Sequence, residues 1–142
     1  MKIRLVMLGK TRRPELRALL DDYLSRIRHY CEIELVELRQ PFAAPRKFKP
    51  ENAATVVLLD AEGKQFTSQQ FARWLAELRQ RSTRELVFLC GDAAGFPDDW
   101  RRKASTKLSL STLTLPHELA RVMLAEQLYR TFTILAGHPY AK

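Results

Sequence analysis

Residues 55–90 read TVVLLDAEGKQFTSQQFARWLAELRQRSTRELVFLC. TVVLLD (55–60) is apolar over the length of a strand and stops at an acid, with Gly63 close behind; ELVFLC (85–90) repeats the pattern and is broken by Gly91. Between them Thr67 stands three residues before Gln70, the spacing of a capping box, and Phe71, Trp74, Leu75 and Leu78 fall on one helical face. A strand apolar on both faces, then a helix, then another such strand is the unit of parallel sheets covered by helices.

The same alternation extends in both directions. Towards the N-terminus, KIRLVML (2–8) closes at Gly9 as a buried strand. PELRALLDDYLSRIRHY (14–30) then sets Leu16, Leu19, Leu20, Tyr23, Leu24, Ile27 and Tyr30 on a 3.6-residue period behind a proline suited to a first helical turn. EIELVEL (32–38) reads as a strand of imperfect alternation. Towards the C-terminus, PDDWRRKA (97–104) is a short helix with acids in its first turn, KLSLS (107–111) a last strand, and Pro116 to about Ala136 a final helix. The expectation is one α/β domain over residues 1–142, a mostly parallel sheet flanked by helices, with no internal repeat.

One stretch resists both periods. QPFAAPRKFKPENA (40–53) holds Pro41, Pro45 and Pro50, and with Arg39 it brings four basic residues among Phe42 and Phe48. It reads as a loop, either a plain solvated connection or a surface that touches RNA phosphates and stacks on a base.

Composition narrows the classes. With 142 residues, 46% of them apolar, the chain suits a single core. The net charge of +8 is equally compatible with a polyanionic partner and with an ordinary basic surface. Cys31 and Cys90 lack CxxC spacing and a histidine cluster, so packing is expected of them rather than a disulfide or metal site. The short opening run contains Arg4 and has no small-residue cleavage site, and no stretch reaches the roughly 18–20 apolar residues of a membrane span, so a cytoplasmic location is expected.

In open α/β sheets ligands sit beyond the carboxyl ends of strands. Three places qualify: Leu59-Asp60, Gly91 to Gly95, and Ser109 to His117. GDAAG (91–95) allows a tight turn but is neither GxGxxG nor GxxxxGK[ST], which disfavours nicotinamide and ATP sites. LSLSTLTLPH (108–117) either offers backbone polar groups and leucines to an adenine or is a plain strand-to-helix turn. In the last helix Leu119, Val122, Met123, Leu128, Phe132 and Leu135 form a stripe for a core or a homodimer seam, and Glu126 and Arg130 have the spacing of a helix-surface ion pair. His117 suits capping or packing as well as catalysis. His138 and Tyr140 lie in the tail GHPYAK, where disorder is the ordinary expectation and contact with an unstacked base the functional one. HExxH, paired catalytic carboxylates, a nucleophile elbow and an EF-hand loop are all missing.

The run LSLSTLTLPHELARVMLAEQLYRTFTILAGHPY (108–140) resembles the carboxyl-terminal signature of the RlmH family of SPOUT methyltransferases. MKIRLVMLGK, the Asp-Tyr-Leu-x-Arg of the first helix, VVLLDAEGK and the glycine turn at Gly91 follow in the family's order, so the resemblance covers nearly the whole chain. It implies a C-terminal trefoil knot, a homodimer, S-adenosylmethionine bound in the knot and methylation of N3 of a pseudouridine in 23S ribosomal RNA, with an assembled ribosomal particle expected as the substrate. Carried over by position, it implies donor binding by Leu59, Gly91, Leu110, Ser111, Thr112, Leu113, Thr114 and Leu115, and RNA contacts by Arg121, Arg130, His138 and Tyr140. His138 and Tyr140 are also the candidates for proton transfer, and no metal is implied. The chain departs from the family at two points: Gly91-Asp92 replaces a glycine pair, and Tyr140-Ala141 replaces Tyr-His. These departures keep open an alternative, a non-catalytic RNA- or ribosome-binding protein on the same fold. A small-molecule-binding protein without an RNA partner would conflict with the +8 charge.

Overall fold

The computed structural model describes residues 1–39 and 54–141. The stretch 40–53, read from the sequence as a loop, lies outside them. Five strands form one sheet: β1 (Lys2–Leu8), β2 (Glu32–Leu38), β3 (Ala54–Lys64), β4 (Glu85–Cys90) and β5 (Thr106–Leu108). Their order is β2-β1-β4-β3-β5, and every pairing is parallel, so all carboxyl ends lie along one edge. Among the described residues are four helices: α1 (Pro14–Ile27) between β1 and β2, α2 (Ser68–Gln80) between β3 and β4, α3 (Asp98–Lys103) between β4 and β5, and α4 (His117–Ala136) after β5.

Strand alternation divides the core. Ile3, Leu5 and Met7 of β1 and Leu86 and Phe88 of β4 face α1, α2 and α4, meeting Leu20, Leu24, Leu75, Leu124 and Leu128. Val6 and Leu8 with Val87 and Leu89 point to the opposite face, where Trp100 of α3 packs over them. Apart from Lys2, Arg4 and Glu85, β1 and β4 are apolar because both their faces are covered. α2 begins with the expected capping box, Gln70 N donating to Thr67 Oγ1 over 3.1 Å while Gln70 Oε1 accepts from Thr67 N over 2.9 Å.

Several sequence readings differ from the structure, among them the end of α1, which stops at Ile27 rather than Tyr30. β5 ends at Leu108 rather than Ser111, because the Ser109 hydroxyl turns to donate to the Ser111 carbonyl at 3.0 Å. β3 runs on past Asp60 to Lys64, with a register break in which Leu59 and Lys64 both face Leu108. A Cβ on Gly63 would lie 2.7 Å from the Lys107 backbone, so only glycine permits that return. The tail is also ordered: Pro139–Ala141 form a 3-10 turn, and the Tyr140 ring meets the Tyr129 ring edge-on at 4.6 Å.

Candidate functional site

At the carboxyl edge of the sheet a cavity of about 630 Å³ opens between the ends of β3, β4 and β5 and the start of α4. Leu59, Leu108, Leu110 and Leu115 make its apolar wall, and Asp60, Asp92, Ser111 and Thr114 its polar one. The break in β3 puts Asp60 there. Its Oδ1 accepts from Glu62 N at 3.1 Å, and its buried Oδ2 has no hydrogen bond, with Arg101 Nη1 3.5 Å away.

The loop from Leu110 to Leu115 carries polar backbone without a sheet to satisfy it. Leu113 N donates to Ser111 Oγ at 2.9 Å; among the described residues no other backbone N–H of that stretch has a partner. Such groups beside leucines can bind a flat, hydrogen-bonding ring. The glycine turn is closed by reciprocal bonds of 3.0 Å between Asp92 and Gly95. A Cβ on Gly91 would lie 2.5 Å from the Gly95 carbonyl oxygen, so this turn admits no side chain there.

Of the donor-binding positions expected from the resemblance, Leu59, Gly91, Leu110, Ser111, Leu113, Thr114 and Leu115 line this one cavity; Thr112 does not. Leu113 is 74% exposed, at the mouth rather than in the wall. Asp60, which the strand-end rule had named beside Leu59, also lines it; so do Ala61, Phe96 and Ala120, which were missed and which nothing local marked. Cys90 lines the cavity too, but burial pushes its thiol up to about 12, which excludes a thiolate at neutral pH.

The positions expected to meet RNA scatter. Arg121 must be corrected: it is fully buried, and its guanidinium donates to the carbonyls of Leu8 (2.6 Å) and Gly9 (3.0 Å) and to Thr11 Oγ1 (3.1 Å). It is a strap between α4 and the loop after β1, with no surface to offer a phosphate. Arg130 is paired through two bonds of 2.9 and 2.6 Å to Glu126 Oε1, which holds its pKa above the ordinary value. The Tyr140 hydroxyl donates to the same oxygen at 3.1 Å, and burial together with Tyr23 and Glu126 pushes its pKa up. His138 Nδ1 accepts from Tyr140 N at 3.1 Å, which leaves a neutral ring its proton on Nε2.

Arg130, His138 and Tyr140 lie beyond the middle of α4, where the tail folds back on the helix: the Tyr140 hydroxyl reaches Glu126 and its ring meets Tyr129. Glu126 is nine residues from His117 in the cavity wall, about 14 Å along the helix axis. None of the three lines the cavity within one chain. Among the described residues no three His, Cys, Asp or Glu side chains converge as a metal-binding group, and no helix is long and apolar enough to cross a membrane.

Comparison with known proteins agrees with this geometry. The family model described as "Predicted SPOUT methyltransferase" matches residues 1–141. Two relatives, each called "Ribosomal RNA large subunit methyltransferase H", are 41% identical. That of Geotalea daltonii aligns over 99% of both chains, and that of Koribacter versatilis over 99% of this chain and 97% of its own. Among solved structures, a probable methyltransferase from Bordetella pertussis Tohama I shares the fold with a TM-score of 0.56 at 12% identity, covering 91% of this chain and 95% of that one. The SpoU methyltransferase AviRb from Streptomyces viridochromogenes, solved in complex with AdoMet, gives 0.51 at 10% identity over 94% of this chain and 61% of its own. The chain belongs to the SPOUT methyltransferases and, within them, to the family of ribosomal RNA large subunit methyltransferase H.

Proposed function

We propose that this chain, acting as one domain, transfers a methyl group from S-adenosylmethionine to N3 of a pseudouridine in 23S ribosomal RNA, as a cytoplasmic homodimer working on an assembled ribosomal particle. The observation that carries this reading is the convergence of Leu59, Gly91 and the 110–115 loop on one cavity in a chain of this family. The chain passes from β5 at the sheet edge through that loop to α4, which packs on α1 and α2. That path suits a threaded end, and we assign a trefoil knot to it.

The residues present fit the donor. The leucines match an adenine face, the loop N–H groups match its ring nitrogens, and the carboxylates of Asp60 and Asp92 put negative charge near a ligand that carries a sulfonium and an ammonium. The AviRb complex with AdoMet is a precedent for that donor on this fold. When bound, S-adenosylmethionine supplies a methyl group already activated by positive sulfur.

The chain's share is then alignment. Its cavity walls fix the orientation of the donor, and water is kept from one side by Leu59, Leu108 and Leu110. As N3 bonds to the methyl carbon, the carbon–sulfur bond breaks and sulfur leaves as a neutral thioether, while the target imide gives up its N3 proton. Neither tail candidate holds a free acceptor for that proton, since His138 Nδ1 is engaged by Tyr140 N and the Tyr140 hydroxyl by Glu126. The proton therefore leaves to solvent, and the tail positions the base. That the tail lines no part of its own chain's cavity supports its acting at the cavity of a second chain.

Calorimetric titration with S-adenosylmethionine tests the reading. Saturable binding is expected for the unaltered chain and none for Gly91→Arg, whose side chain cannot enter the turn. A folded, unaltered chain that binds no donor would overturn it.

A further inference from the structure

We infer that the loop after β1, through Lys10, Arg12 and Arg13, is a phosphate-binding rim of the cavity that grips the RNA backbone flanking the target base; this rests on the methyltransferase reading above. Gly9 to Arg13 leave β1 at the carboxyl edge of the sheet, and β1 lies beside β4, with Met7 opposite Cys90 in the register. The next turn of chain therefore runs alongside Gly91, in the cavity wall.

The loop's backbone is fastened from beneath by groups of the cavity's own helix. Glu118 Oε1 accepts from Arg12 N at 2.6 Å and Arg13 N at 3.0 Å, and Arg121 holds Leu8, Gly9 and Thr11. Thr11 N donates to Glu37 Oε2 at 2.7 Å, and Gly9 N to the Leu38 carbonyl at 2.7 Å. Glu118 directly follows His117, which lines the cavity, so loop and cavity are one rigid assembly.

The side chains of this fixed loop are treated differently from its backbone. Lys10, Arg12 and Arg13 are exposed, and among the described residues none of the three has an acidic partner. By contrast, the nearby Arg17 is paired with Asp21 and Glu37, and Arg26 with Asp22. Stability does not account for the placement. Arg13 is the N-cap of α1 and makes no side-chain capping bond, and two cations at a helix N-terminus oppose its dipole. A local rule broken beside a ligand cavity, with an acid borrowed from another helix to satisfy the backbone, points to selection for an anion outside the chain. Three cations on a stiff frame match consecutive phosphodiesters, which bind by counterion release.

The test is the salt dependence of binding to ribosomes purified from bacteria that lack this modification, measured by cosedimentation. Three proteins are compared: the unaltered chain, the triple variant Lys10→Ala, Arg12→Ala, Arg13→Ala, and a control triple variant Arg79→Ala, Arg81→Ala, Arg84→Ala at the opposite, amino-terminal edge of the sheet. Removing the rim is expected to lower the slope of log affinity against log salt by roughly one per lost phosphate contact, and the control to change it less. Thermal melting confirms that both variants fold. An unchanged slope in the rim variant, or an equal loss in the control, overturns the inference, as does binding by the unaltered chain that ignores salt. Methyl transfer by the unaltered chain is scored in the same samples. Its absence would count against the methyltransferase reading alone, leaving the slopes to decide on the rim.

Discussion

Arg121 holds three acceptors from a fully buried position, the carbonyls of Leu8 and Gly9 and the hydroxyl of Thr11. Burial lowers its pKa from the ordinary value, and the charges of Glu37, Glu118 and Asp92 oppose that drop. Arg121→Met keeps the apolar stem but leaves the Leu8 carbonyl and Thr11 hydroxyl buried and unpaired. At about 1–3 kcal/mol for each stranded group, the expected loss is roughly 3 kcal/mol in urea unfolding. Arg121→Lys should recover only part, because an ammonium lacks the planar fork that reaches two carbonyls at once. A variant as stable as the unaltered chain would show that the strap contributes nothing. The sequence placed this arginine on a helix beside His117 but could not show its orientation, since its acceptors lie more than 100 residues away. Arginine in a basic chain reads as surface by default, and only tertiary structure separates the buried one from the rest.

α1 opens without a capping side chain of its own, and α4 supplies the acceptor through Glu118. The bonds from Arg13 N and Arg12 N hold the Glu118 carboxyl below its ordinary value of 4.5, against a smaller opposing effect of burial. A carboxylate with a lower pKa in the folded than in the unfolded state stabilises above the unfolded value, and that contribution disappears as pH falls through the folded one. The melting temperature of Glu118→Gln should therefore fall below that of the unaltered chain at pH 7, and the gap should close below about pH 4.5. A gap independent of pH would assign the loss to packing. This brace was invisible in the sequence because it joins two helices across the fold, whereas the capping box at Thr67 was legible because both its members lie within one turn. The strand ends divide in the same way. The apolar runs located β3 and β4, but the extension of β3 to Lys64 depends on how closely Gly63 passes Lys107, and the short β5 on a serine hydroxyl that turns back on its own loop.

At the scale of the molecule, the tail folds back on α4 at Glu126 and Tyr129, about 14–18 Å along the helix from His117 in the cavity wall, and lines no part of that cavity. The parallel order of strands was readable from their two-sided apolarity, and with it the edge where a ligand belongs; the separation of the two halves of the site was not, because the resemblance gave residues without distances. If each complete site takes its cavity from one chain and its tail from the other, two differently damaged chains should complement. Gly91→Arg loses the cavity, and Tyr140→Ala loses the ring packed on Tyr129 and the bond to Glu126, releasing the tail. Each variant alone should transfer little methyl. Random pairing after mixing makes about half of the dimers mixed, and in each of these one site combines an intact cavity with an intact tail, so activity should reappear. Complementation should require subunit exchange and grow over the time that exchange takes. If the mixture stayed at the level of its components while native mass spectrometry showed mixed dimers, cavity and tail would have to act within one chain. In that event the tail would have to leave Tyr129 and Glu126 and swing along α4 to reach its own cavity, a motion that those contacts oppose.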